Sequence, residues 1–343
     1  MLFLFFFILI LVSYFNFKFL SKINFFLDNN INKSQAIHKN IIPRSGGLCL
    51  ALIMLISSVF IYVTYDLNYL KYYPYLILIF LIGLIDDYGI KINPNIRLLF
   101  LFIISFVFFY YFDLRLRTTG IGILDSFINN YDFEYIIITI CFLIIINGSN
   151  FIDGVNGNLA IHYMLLLLII FLVSSSFSEG FIVHLQSILI CFIVFLFLNI
   201  KNQIFFGDGG AYLSGTILGL FIITLMQNDT FISPFFYIIL TVYLGSEVLI
   251  SFTRRIFQKE STVVADFNHL HSMLFVIFKT KTKINPHIST SLLINFVYCL
   301  SVLPSLFFTN NFELTRNYSI VLYFFFIILY FVIRKIYKKV IKF

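Results

Sequence analysis

Tryptophan is absent from this 343-residue chain, and charge is scarce, with Asp, Glu, Lys and Arg making up 11% of it. A soluble domain carries about 25% charge, so that class is excluded. Without Trp, any aromatic belt at a membrane–water boundary falls to Tyr. Cys49, Cys141, Cys191 and Cys299 stand singly in apolar runs. None has the short spacing of a zinc or redox motif, and all four are expected to be small buried hydrophobes. No Gly-x-Ser-x-Gly, Cys/His pair or P-loop occurs, so acyl transfer and ATP hydrolysis lack support. No Lys or Arg precedes the first apolar run and no small-residue cleavage site follows it. That run is expected to be a retained span rather than a signal peptide.

What is present is apolar. The chain is 60% hydrophobic, with a mean hydropathy of +0.98. A membrane-crossing helix needs roughly 20 apolar residues. By that measure the chain is predicted to be all-α and polytopic, one integral membrane domain over 1–343 with about 10–11 spans. The candidates are 2–20, 47–65, 72–87, 98–112, 135–150, 159–177, 181–199, 211–227, 234–252, 289–308 and 317–334. The expected cytoplasmic loops are about 21–46, 87–97, 150–158, 200–210 and 253–288. No internal repeat or low-complexity linker is evident.

The net charge of +7 does not indicate nucleic acid, because the basic residues lie in loops between apolar runs. With the loop after the first span taken as cytoplasmic, only Lys71, Arg115, Arg117 and Arg316 of the 23 basic residues fall on the far side, and Lys18 lies near a boundary. The positive-inside rule then puts the N-terminus outside and the C-terminus in the cytoplasm.

That topology collects the unusual polar residues on the cytoplasmic side. Asp86 and Asp87 end the third span in Gly83-Leu-Ile-Asp-Asp-Tyr-Gly89. Asn147, Asn150 and Asp153 lie where the fifth span exits, at steps of three that keep them roughly on one helix side. Asp208, in Phe205-Phe-Gly-Asp-Gly-Gly210, precedes the eighth span, and His269 and His271 lie in the longest loop. Each feature has an ordinary alternative. Acids at span ends are often only solvated, a Gly-rich stretch can be a tight turn, and two loop histidines can be coincidence. Adjacent carboxylates under an apolar span repel, and a divalent cation relieves the repulsion. Magnesium takes one or two carboxylates and completes its shell with water and substrate phosphate. Helix starts at Gly207-Asp-Gly-Gly210 and after Asp153 would turn their free N–H groups toward phosphate. The two histidines suit phosphate because they titrate near neutral pH. Glu247, inside the ninth span, marks function by default as a costly intramembrane acid. Its spacing equally permits a snorkelling ion pair with Arg254 and Arg255, the reading slightly favoured.

In this order the motifs resemble the polyprenyl-phosphate N-acetylhexosamine-1-phosphate transferase superfamily, from Pro43-Arg-Ser-Gly-Gly47 to His271. Its members start lipid-linked O-antigen, enterobacterial common antigen and teichoic acid linkage units, and include the lipid I synthase of peptidoglycan. The resemblance implies transfer of a sugar-1-phosphate from a UDP-sugar to undecaprenyl phosphate, with release of UMP, in a bacterial inner membrane. It implies Mg2+, with Mn2+ as a substitute, and a homodimer as in many relatives. It assigns catalytic roles to Asp86, Asp87, Asp153, Asp208, His269 and His271, with Asp208, Asp87 and Asp86 at the metal. It puts Asn147, Asn150, Gly154, Asn156, Phe205, Gly207, Gly209, His38 and Arg44 at the substrates, with Phe205 where some relatives stack uracil. The chain departs at Asn156, where relatives carry an aspartate, at Asn158 in place of Leu, and at Ser272 in place of a further His. These differences point to the surface-polysaccharide branch. A transporter would carry its ionisable residues near the midplane, often in repeated halves, and a dead homologue would lack the metal-site acids; neither pattern is seen.

Overall fold

The computed structural model describes residues 1–22, 42–90, 92–116, 121–129, 131–174, 177–229, 231–258 and 268–341. Among them are fourteen α-helices and no strand. In chain order these are α1 Leu2–Leu20, α2 Gly46–Tyr65, α3 Tyr73–Asp87, α4 Pro94–Phe112, α5 Gly122–Ile128, α6 Tyr131–Ile152 and α7 Asn158–Val173. Then follow α8 Glu179–Ile200, α9 Gly207–Asn228, α10 Pro234–Leu240, α11 Val242–Gln258, α12 Leu270–Lys281, α13 Pro286–Val302 and α14 Phe312–Ile341. Helix is the only open-ended way to satisfy every backbone polar group inside lipid. Proline marks the starts: Pro94, Pro234 and Pro286 open α4, α10 and α13 directly after Asn93, Ser233 and Asn285, whose side chains cap the helix.

Each predicted span contains helix, though fewer of them pass as spans by length and composition alone. Eight helices are long and apolar enough to cross a membrane by themselves. The 234–252 segment is a pair, α10 and α11, bent by 70°. Two more predicted spans are short: α3 has 15 residues and α7 has 16. The cysteine expectation holds for Cys49 and Cys191, which are buried, but Cys141 is exposed and Cys299 half-buried. An apolar run facing lipid imposes no demand that a thiol be enclosed. The expected 253–288 loop contains a helix, α12.

The helices form two compact units. One comprises Met1–Ile92 and Val155–Ser214. In it α8 packs against α1, α2 and α7. Phe17 meets Phe195 with ring centroids 5.6 Å apart, Phe195 meets Phe206 edge-on at 4.0 Å, and Phe192 stacks on Phe206 at 5.5 Å. These rings fix Phe206 two residues before Asp208. Lipid gives helices no hydrophobic drive to associate, so close backbone packing at small residues takes its place. A side chain on Gly47 would collide with the backbone of Gly210, and one on Gly83 with that of Gly209. The start of α9 is therefore wedged between α2 and α3.

The other unit comprises Asn93–Gly154 and Gly215–Phe343. There α6 packs against α4 and α11, α14 runs along α10, α11 and α12, and α12 lies on α13. The break at Thr241 leaves carbonyls without helical partners. The buried hydroxyl of Tyr298 donates to one of them, the Leu240 oxygen, at 2.8 Å.

Candidate functional site

The sequence-predicted residues fall into two groups, each inside one unit. In the first, the chain before α2 and the chain before α9 run side by side. Phe205 N–H donates to the Pro43 carbonyl at 2.9 Å, and Gly46 and Gly47 N–H donate to the carbonyls of Phe205 and Phe206 at 2.9 and 3.1 Å. These bonds satisfy the opening amides of α2 and bring Arg44 alongside α3. Gly207 opens α9, and Asp208 and Gly209 occupy its first turn.

Asp87, the last residue of α3, is the hub of this group. Its side chain is 1% exposed. Its Oδ1 accepts the Asp208 N–H and its Oδ2 the Gly209 N–H, both at 2.9 Å. Arg44 Nη1 stands 3.9 Å from Oδ1. The carboxylate thus caps α9 from another helix and occupies the amides that were expected to be open to phosphate. Asp86, Asp208 and Phe205 are half-buried. Among the described residues no three His, Cys, Asp or Glu side chains gather closely enough to hold a metal unaided. Magnesium can be held by one or two carboxylates together with substrate phosphate. Asp208 and Asp86 keep the exposure such a role needs, while Asp87 faces inward.

Asn156 has a structural task in the same unit. Its amide donates to the Asn199 carbonyl at 3.0 Å and to Asn202 Oδ1 at 2.6 Å. Asn199 in turn accepts the Gly157 N–H at 2.7 Å. Both donor hydrogens of Asn156 thereby tie the turn after Asp153 to the connection between α8 and α9. His38 lies outside the described residues.

In the second unit α6 carries Asn147 and Asn150, half-buried, with Asp153 just past its end and also half-buried. Asn147 donates to the Leu143 carbonyl of its own helix at 2.8 Å. His269 and His271 flank the start of α12 and stack, with centroids 5.6 Å apart and planes 10° from parallel. The extended backbone of His269, followed by helix from Leu270, lets residues two apart share a side. His271 Nε2 presses on Gly154, where any side chain would collide with the ring. Burial pushes the pKa of His271 down to about 4, with Glu247 opposing and His269 adding to the shift. His271 is therefore neutral at pH 7, not the cation expected of a phosphate partner, and offers a single N–H.

Glu247 is the residue that sequence reasoning misplaced. It makes no ion pair with Arg254 or Arg255. Its Oε2 lies 2.9 Å from His269 Nδ1, within hydrogen-bond distance, and its Oε1 accepts the Leu270 N–H at 3.0 Å. The partners lie 22 and 23 residues away, while the arginines are near in sequence; only the fold distinguishes the two.

Residues 69–226 match the family model of glycosyl transferase family 4. Over that stretch, 158 of the 343 residues, the chain is similar to glycosyl transferase family 4. The matched stretch includes Asp86, Asp87, the 147–157 segment and Asp208, and ends before His269 and His271. No curated protein matches the chain significantly. The family match supports a polyprenyl-phosphate sugar phosphate transferase in general, and the apolar helices suggest a multi-pass membrane protein.

Proposed function

We propose that the protein transfers N-acetylhexosamine-1-phosphate from a UDP-sugar to undecaprenyl phosphate, as the first membrane step of a surface polysaccharide pathway. The reaction takes place at the cytoplasmic face of a bacterial inner membrane. An oxygen of the lipid phosphate bonds to the sugar-bearing phosphorus, the bond from that phosphorus to the oxygen bridging to UMP breaks, and UMP leaves with that oxygen. A phosphate monoester with a second pKa near 6 is largely dianionic at neutral pH. The nucleophile then needs no proton removed, and the protein's work is positioning and charge stabilisation.

The observation that carries this reading is the start of α9, where Asp87 holds the Asp208 and Gly209 amides. That bond fixes half-buried Asp208 beside a second carboxylate and Arg44. Magnesium, or manganese in its place, would be held by Asp208 with Asp86 and would neutralise charge on the phosphates. Asp87 is assigned to holding that arrangement. Arg44 offsets the charge of Asp87. His269 and His271 are assigned to the donor's diphosphate and sugar, and Asn147, Asn150 and Asp153 to the nucleotide.

The test uses membranes containing the protein, tritiated UDP-N-acetylglucosamine and undecaprenyl phosphate. Label that becomes lipid-extractable, and is lost with EDTA, is the expected result. No transfer from any of a panel of UDP-sugars would overturn the proposal. Asp208→Asn is expected to abolish transfer while the protein still inserts and accumulates; normal activity in that variant would remove the cation from Asp208.

A further inference from the structure

We propose that Glu247 is a positioning residue: it holds His269 by Nδ1 and so leaves Nε2 as the ring nitrogen that meets the donor phosphate. The proposal rests on the transferase reading above and adds a residue to it.

Glu247 is 3% exposed and sits in α11, past the 70° bend from α10. A buried acid inside a membrane segment is costly and is retained where it has a task. Capping α12 is not task enough. A cap needs one acceptor at the helix start, and position 269 could provide it with Ser or Asp. Instead it holds a histidine whose side chain makes no capping bond, and the acceptor comes from another helix. One oxygen of Glu247 takes the Leu270 amide and the other takes the imidazole. Oε1 accepts the Leu270 N–H, and Oε2 lies 2.9 Å from His269 Nδ1. An ionised carboxylate has no proton to donate, so Nδ1 carries the hydrogen. A carboxylate on one ring nitrogen sets which nitrogen carries the proton.

The ring has little freedom left. Phe151 packs on it with centroids 5.0 Å apart, and His271 stacks on it at 5.6 Å. Among the described residues no hydrogen bond is made by His269 Nε2. One nitrogen is therefore anchored and the other is open, the pattern by which a second group orients an imidazole that acts on a ligand.

Two measurements on the full-length chain in detergent micelles test this. In the transfer assay, Glu247→Gln is expected to lower kcat about 10- to 100-fold with the KM for polyprenyl phosphate nearly unchanged. His269→Gln should cost a similar factor, and the double variant should be no worse than the poorer single. Losses that multiply would overturn the proposal, because Glu247 would then act independently of His269. The second measurement needs no activity and no folded Glu247 variant. Nitrogen-15 spectra of the histidines, with the His269 signals assigned by their loss in His269→Gln, should show Nδ1 protonated. An unprotonated Nδ1 there would overturn the assignment. A wild-type protein that transfers nothing yet shows protonated Nδ1 would defeat the transferase reading and leave Glu247's hold on His269 in place.

Discussion

His271 is 2% exposed, and among the described residues its Nδ1 has no hydrogen-bond partner. A buried ring nitrogen left unbonded costs free energy, and the ring's place against Gly154 gives it no room to turn away. The same burial couples stability to pH. The folded-state pKa is about 4 against an ordinary 6.5, so between those values the unfolded chain binds a proton that the folded one does not. Stability from this group is full above about 6.5 and is lost as pH falls toward 4, by roughly 2 kcal/mol at pH 5. Thermal unfolding in detergent at about pH 7.5 and 5 should show a drop that His271→Asn makes smaller. An equal drop in both proteins would mean that His271 is not the group that titrates. Asn156 illustrates a second residue-scale point. An aspartate there would have no hydrogens for the Asn199 carbonyl and Asn202 Oδ1. The departure from the family pattern is thus matched by its neighbours.

At the scale of elements, the break between α10 and α11 has the clearest physical cause and consequence. Thr241 interrupts the helix, and Tyr298 of α13 satisfies the Leu240 carbonyl that the bend frees. Tyr298→Phe leaves a buried carbonyl without its partner, a loss of about 1–3 kcal/mol. The variant should unfold several degrees below the wild type in detergent; an unchanged midpoint would show that the carbonyl finds another donor. This break also explains what could and could not be read in advance. Apolar runs near 20 residues announce themselves, and each became helix. Asn-Pro and Ser-Pro pairs mark helix starts by local chemistry. The bend depends on a tyrosine 58 residues from the carbonyl it bonds, and the role of Glu247 on a histidine 22 residues away. Such pairings leave no trace in local pattern. Asp87 stood out in the sequence as a candidate site acid, but its capping of α9 did not, because nothing in Asp-Asp indicates which helix start lies opposite.

For the whole molecule the decisive quantity is how many times the chain crosses. Eight full-length helices, one bent pair and the short helices α3 and α7 would together make eleven crossings, the odd number that the expected outside N-terminus and cytoplasmic C-terminus need. The weakest of these by length is α3. Its 15 residues reach about 22 Å against a hydrocarbon core of about 30 Å. A 3-10 turn, Leu70–Tyr72, leads straight into it and adds to its reach, and Lys71 at one end and Asp86 at the other are polar enough to seek the two boundaries. A helix this short is accommodated by local thinning and by the flanking side chains. If α3 crosses, the connection to α4 is cytoplasmic. Ile92→Cys should then resist a membrane-impermeant maleimide in intact cells, as Lys339→Cys should, while Asn310→Cys should react. Labelling of Ile92→Cys from outside would mean that α3 turns back, which would carry Asp86 and Asp87 away from the cytoplasmic supply of nucleotide-sugar and leave the acids without a donor.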